Sequence, residues 1–133
     1  MRVALVTGGG SGIGRSAALE LNKIDFTVYV VGRREEELIK TSSLATNNNH
    51  KIIPIKTDIT IGSQVIALFN KIKSDHGRID LLFNNAGMGA PRVPIEDLKE
   101  EDWRKTVDVN LTGSFLCSQP VSYTHLRAHE TIP

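Results

Sequence analysis

A short apolar run that ends in a cluster of glycines constrains this chain more than any other feature. Val3 to Val6 reads as a strand, and Thr7-Gly8-Gly9-Gly10-Ser11-Gly12-Ile13-Gly14 follows it directly. The next stretch sets Ile13, Ala17, Leu21 and Ile24 on one helical face, so the local order is strand, tight turn, helix. In that context a glycine-rich turn can bring bare backbone N–H groups up to a pyrophosphate at the positive end of the helix. The alternative is a merely flexible turn, which the flanking strand and helix argue against. The glycines at 8, 12 and 14 follow T-G-x-x-x-G-x-G rather than the commoner dinucleotide spacing.

The same rhythm repeats downstream. Phe26 to Val31 is a second β-branched run, followed by Gly32 and a charged helical stretch from Arg33 to about Ala45. The asparagine cluster at 47–49, with His50, reads as a loop, and Ile52 to Ile55 opens a third strand. Pro54 removes a ladder donor from that strand and predicts an edge position. Val65, Leu68, Phe69 and Ile72 fall at the i, i+3, i+4, i+7 spacing of one buried helix face, and Ile79 to Phe83 supplies a fourth strand. A last helix is expected from Trp103 to Gln119, with Pro91 and Pro94 in the loop before it. Alternating strands and helices with short connections predict an α/β fold, a doubly wound parallel sheet of Rossmann type, incomplete, in the order 3-2-1-4.

Composition excludes several alternatives. With 16 Lys+Arg against 15 Asp+Glu the net charge is +1, which leaves no electrostatic footprint for nucleic acid. No apolar run reaches about 18 residues, so neither a membrane span nor a signal-peptide core is expected. The one cysteine, Cys117, can form no intrachain disulfide and no multi-cysteine zinc site, which points to a reducing, cytoplasmic setting. His50 and His76 have no second ligand nearby in sequence, and no metal site is expected.

The glycine turn, Asp58 at the close of the third strand, Asn84-Asn85-Ala86-Gly87 at the end of the fourth and Asn110 beyond them together resemble the classical short-chain dehydrogenase/reductase family. The resemblance covers residues 1 to 119 in family order. It implies that Gly8, Ser11, Gly12, Ile13 and Gly14 cradle the cofactor diphosphate and adenosine ribose. Asp58 would accept a hydrogen bond from the adenine amino group, with the Ile59 backbone beside it. Asn85, Ala86 and Gly87 would lie along the ribose side, and Asn110 would hold a water that links the catalytic lysine to solvent. From spacing alone, Asn110 sits on the inward stripe of its helix, where a buried amide bonded to a backbone carbonyl is the alternative.

Cofactor choice turns on the end of the second strand, where an acidic residue would bond a ribose 2′-OH. Gly32 stands there, followed by Arg33 and Arg34, whose guanidinium forks suit a 2′-phosphate. NADP is therefore expected over NAD. Ser11 departs from the basic residue that NADP-preferring relatives often carry, and a solvated first helical turn is the other reading of the two arginines.

The family's serine and Tyr-x-x-x-Lys are missing, because the chain stops before the strand that would lead to them. Tyr123 with Arg127 is no substitute: it follows Asn110 with no strand between, and arginine's fixed charge and geometry differ from lysine's. Val121 to Thr131 resembles the translation of an adapter used in transposase-based sequencing libraries, and residues 120–133 are expected to be a non-native tail. The expectation is thus a cofactor half, residues 1–119, of an NAD(P)-dependent oxidoreductase. The resemblance implies a parent that is homo-oligomeric and acts on a small carbonyl or alcohol, with the fragment itself inactive. A non-catalytic dinucleotide-binding module is the alternative. Half of a doubly wound sheet should also leave the fourth strand partly uncovered.

Overall fold

Alternation along the first strand builds a core on both of its faces. In the computed structural model, which describes residues 1–86 and 95–107, strand β1 spans Arg2–Thr7, and Val3, Ala4, Leu5 and Val6 are fully buried. Strand β2 spans Phe26–Gly32, β3 Ile52–Lys56 and β4 Leu81–Phe83. All pairings are parallel, in the expected order β3-β2-β1-β4. Pro54 lies opposite Val30 on the outermost strand, where its missing N–H faces no further ladder.

The connecting segments cover both faces, as a buried parallel sheet requires. Helices α1 (Gly12–Lys23) and α2 (Glu35–Ser43) lie over the face formed by Ala4, Val6, Val28 and Val30. Helix α3 (Gly62–Asp75) covers the opposite face, packing Val65, Leu68 and Ile72 on Val3, Leu5, Tyr29 and Val31. A 3₁₀ turn at Ile95–Asp97 precedes α4, Glu100–Val107. The part of the expected last helix beyond Val107 lies outside the described residues, as do Pro91, Pro94, Cys117 and residues 120–133. Among the described residues no helix is long and apolar enough to cross a membrane.

One helix face and several element boundaries differ from the sequence reading. Helix α1 buries Gly14, Ala18 and Asn22, while Ile13 and Ile24 are 73% and 56% exposed. The small residues let the helix approach the sheet closely, so the inward stripe is set by size rather than by hydrophobicity. Asn22 fits there because its amide donates to the carbonyls of Phe26 (3.1 Å) and His50 (3.0 Å). Arg33 and Arg34 precede α2 instead of opening it, with Arg34 in the extended N-cap conformation. Strand β4 begins at Leu81, but Asp80 N–H still bonds the Val3 carbonyl at 2.8 Å and Ile79 is buried. Every residue of β4 is half-buried, in contrast to the interior of β1.

Among the described residues Tyr29 is the largest fully buried side chain. Its hydroxyl donates to Asp75 Oδ2 at 3.1 Å and lies 2.7 Å from His76 Nδ1, pinning the end of α3 to the middle of β2. Burial raises the phenol pKa above its ordinary 10.0, and the Asp75 hydrogen bond and charge raise it further. Tyr29→Phe should therefore cost about 1 kcal/mol at neutral pH. Because the folded-state pKa is raised, the contribution is intact below the ordinary 10.0 and is lost as pH climbs toward the folded value. Urea unfolding of both chains from neutral to alkaline pH checks this: the wild-type advantage should shrink only above pH 10.0.

Candidate functional site

The chain order reverses at β1, which has β2 on one side and β4 on the other. In open parallel sheets this reversal opens a crevice at the carboxyl ends of the strands. Here the crevice is a cleft of ≈ 580 Å³. Its floor and walls come from the glycine turn, the loop after β2, the loop after β3 and the end of β4.

The glycine turn is held on both sides. Gly8 and Gly9 N–H groups both point at the Val31 carbonyl, at 2.9 and 3.4 Å. On the β4 side, the Thr7 hydroxyl accepts the amides of Asn85 (3.0 Å) and Ala86 (2.9 Å), and Asn85 Nδ2 donates to the Gly8 carbonyl at 3.3 Å. Gly14 sits beneath this junction. A Cβ there would drive into the Gly8 carbonyl oxygen and lie 2.6 Å from Asn85 Nδ2, so only glycine lets α1 start this close to β4. Gly12 is the converse case: its φ is +53° and a Cβ would meet nothing within 4 Å, so the turn opens outward.

The start of α1 is left uncapped. Ser11 is extended (φ −161°, ψ 167°) and makes no side-chain cap, and the first turn carries no acidic residue. A helix N-terminus with its amide donors unclaimed and facing a cleft is an anion site. Ser11, Gly12 and Ile13 line that part of the cleft, which accounts for the exposed Ile13.

The opposite wall is charged. Gly32, Arg33 and Arg34 line it after β2, with Asp58 and Ile59 after β3. A Cβ on Gly32 would meet only Leu38 Cδ2 at 3.5 Å, so the strand end leaves room. Asp58 Oδ1 accepts the Thr60 hydroxyl (2.6 Å) and amide (3.0 Å), which turns the chain sharply after β3. Burial raises its pKa, but those two bonds and the nearby Arg33 charge outweigh it and hold the carboxyl below its usual value. Asp58 is thus a fixed anionic acceptor at the cleft edge.

The fold gathers Gly8, Ser11, Gly12, Ile13, Arg33, Arg34, Asp58, Ile59, Asn85 and Ala86 around one cleft. Gly14 supports it from below, whereas Gly87 and Asn110 lie outside the described residues. Residues that the spacing did not single out hold the turn in place. Thr7 is one. Another is Arg15, whose guanidinium donates to the Gly10 carbonyl (2.5 Å), the Glu37 carbonyl (3.1 Å), Glu37 Oε2 (3.0 Å) and Thr41 Oγ1 (2.9 Å). Thr41 in turn donates to the Gly9 carbonyl at 2.8 Å. The threonine that opens the glycine run was the available signal for Thr7; Arg15 is distant in sequence from its partners on α2 and offered none.

A doubly wound parallel sheet with a glycine turn at its switch point defines a Rossmann-like nucleotide-binding fold. Comparison with known proteins gives the family: the short chain dehydrogenase profile matches residues 2–130, and the chain belongs to that family. A 3beta-hydroxysteroid dehydrogenase from Mediterraneibacter gnavus is 35% identical over 116 residues, which cover 87% of this chain and 42% of that protein. Among solved structures, an NAD+-bound xylitol dehydrogenase superposes with a TM-score of 0.87 at 30% identity, covering 92% of this chain and 47% of the other. A metagenomic short-chain oxidoreductase in complex with NADP gives 0.84 at 27% identity, covering 91% and 56%. The chain therefore spans about half the length of these relatives.

Thr7→Val should leave the partly buried Asn85 and Ala86 amides without their acceptor, at a side chain that is itself only 1% exposed. A loss of about 2 kcal/mol is expected, with Thr7→Ser close to wild type. Chemical unfolding of the three chains measures it, and equal stability of the Val and Ser variants would contradict the role given to the hydroxyl.

Proposed function

We propose that this chain is the cofactor half of an oxidoreductase that moves hydride between nicotinamide and a small carbonyl or alcohol substrate, with NADP preferred over NAD. The observation that carries the reading is the pairing of two features across one cleft. On one side stand the uncapped α1 amides above an open Gly12; on the other stand Arg33 and Arg34 with no carboxylate at position 32. Gly8, Ser11, Gly12, Ile13 and Gly14 would hold the diphosphate and adenosine ribose. Arg33 and Arg34 would pair with a 2′-phosphate. Asp58, with the Ile59 backbone, would receive the adenine amino group. Asn85, Ala86 and Gly87 would line the ribose side, and Asn110 would order a water for proton delivery. Bound there, the nicotinamide supplies the hydride chemistry; these residues bind and orient it.

The family's Ser and Tyr-x-x-x-Lys have no counterparts that fit in residues 1–119, and we place residues 120–133 outside the native domain because Val121 to Thr131 resembles an adapter translation. Residues 1–133 should then bind cofactor without turning over carbonyl substrates. The relatives support the class of chemistry by name, a steroid dehydrogenase and a xylitol dehydrogenase among them, and two of the solved structures hold NAD+ and NADP.

Fluorescence titration with NADPH and NADH tests the cofactor assignment. A charge-assisted bond to the 2′-phosphate is worth roughly 1.5–3 kcal/mol, so NADPH should bind about ten- to a hundredfold more tightly. Gly32→Asp combined with Arg33→Gln should reverse the preference, by repulsion as well as by lost attraction. A wild-type chain that prefers NADH would reduce Arg33 to a solvated charge.

A further inference from the structure

Helix α2 opens with three consecutive carboxylates, Glu35, Glu36 and Glu37. Acidic residues favour a helix N-terminus, and here they follow directly on Arg33 and Arg34 in the chain. Of the three, Glu37 lines the cleft. It is also the one held by Arg15, with the guanidinium 3.0 Å from Glu37 Oε2. The pair is partly sheltered, with side chains 20% and 34% exposed. An isolated exposed ion pair would achieve little. This one is anchored, because the same guanidinium also bonds the Gly10 and Glu37 carbonyls and Thr41 Oγ1 in a fixed fork.

Two consequences meet at the cleft. The Gly10 carbonyl, a negative dipole on the turn that faces the proposed diphosphate, is engaged from the α2 side. The Glu37 carboxylate, which would otherwise compete for Arg33 and Arg34 as an internal anion, has its own counter-charge. We infer that Arg15 is a specificity-determining positioning residue: by neutralising Glu37 from behind the wall, it keeps the arginine side of the cleft receptive to a second phosphate on the nucleotide. This rests on the reading of that wall as a 2′-phosphate site. Arg15 itself does not reach into the cleft; it acts through Glu37.

Calorimetric titration of the 133-residue chain with adenosine 2′,5′-bisphosphate and with 5′-AMP separates the possibilities. Arg15→Gln should weaken the bisphosphate about tenfold more than the monophosphate, since the unmasked carboxylate repels the extra phosphate. That selective loss should fade at high salt. Adding Glu37→Gln to Arg15→Gln should restore the ratio of the two affinities, and Arg15→Lys, which keeps the charge, should leave the ratio near wild type. Equal weakening of both nucleotides by Arg15→Gln, unrepaired by Glu37→Gln, would overturn the inference and make Arg15 a structural brace of the turn. Should Arg15→Gln fail to fold, a ratio in Arg15→Lys that falls by the same tenfold would overturn it as well. A wild-type chain with no preference for the bisphosphate would instead overturn the 2′-phosphate reading, and the inference with it.

Discussion

The junction between the Thr7 hydroxyl and the end of β4 is the constraint on which the rest of the site depends. One oxygen at the end of the central strand accepts two amides from the neighbouring strand's loop. It thereby fixes where β4 stops and where the Asn85 side chain can reach the Gly8 carbonyl. Gly14 then has to be a glycine, because the space a Cβ would need is already filled by that carbonyl and that amide. The helix start, the turn and the fourth strand are therefore positioned together, and none could shift without breaking a partly buried hydrogen bond.

On the other side the turn is tied to β2 through the Val31 carbonyl and to α2 through its own carbonyls. Arg15 and Thr41 take the Gly10 and Gly9 carbonyls, so the polar backbone of a glycine-rich segment is satisfied away from the cleft. The donors at the start of α1 are treated oppositely and left without a cap. This asymmetry between engaged acceptors and open donors makes the turn attractive to an anion. It arises from residues outside the glycine fingerprint itself.

Much of the fold was legible because its signals are local or periodic. Pro54, which lacks a ladder donor, marks β3 as the edge strand, and the Val65, Leu68 and Ile72 spacing marks the buried face of α3. Helix α1 departs from the apolar periodicity for a physical reason: its inward face is chosen by close approach, which selects Gly14 and Ala18, while Ile13 is displaced to the cleft mouth. Position in the turn and at strand ends named the cleft residues from Gly8 to Ala86. The brace from Arg15 to Glu37 could not be read that way, since it joins residues 22 apart on two helices and no spacing rule links them.

An uncapped helix start is a cost as well as an opportunity. Loss of a good N-cap typically removes about 1 kcal/mol from a helix. Helix α1 bears that cost at Ser11 and offsets it at the other end and along its inner face. There Asn22 satisfies two carbonyls and accepts Asn47 Nδ2 on its own carbonyl at 2.9 Å, and Ala18 packs without exposed area. The stabilising contacts are thus concentrated about two to three turns below the cleft, leaving the first turn free to present its donors. A capping side chain at position 11 would stabilise the empty protein while competing with the anion for those donors. The serine's extended, non-capping conformation is what keeps stability and binding from opposing each other at this site.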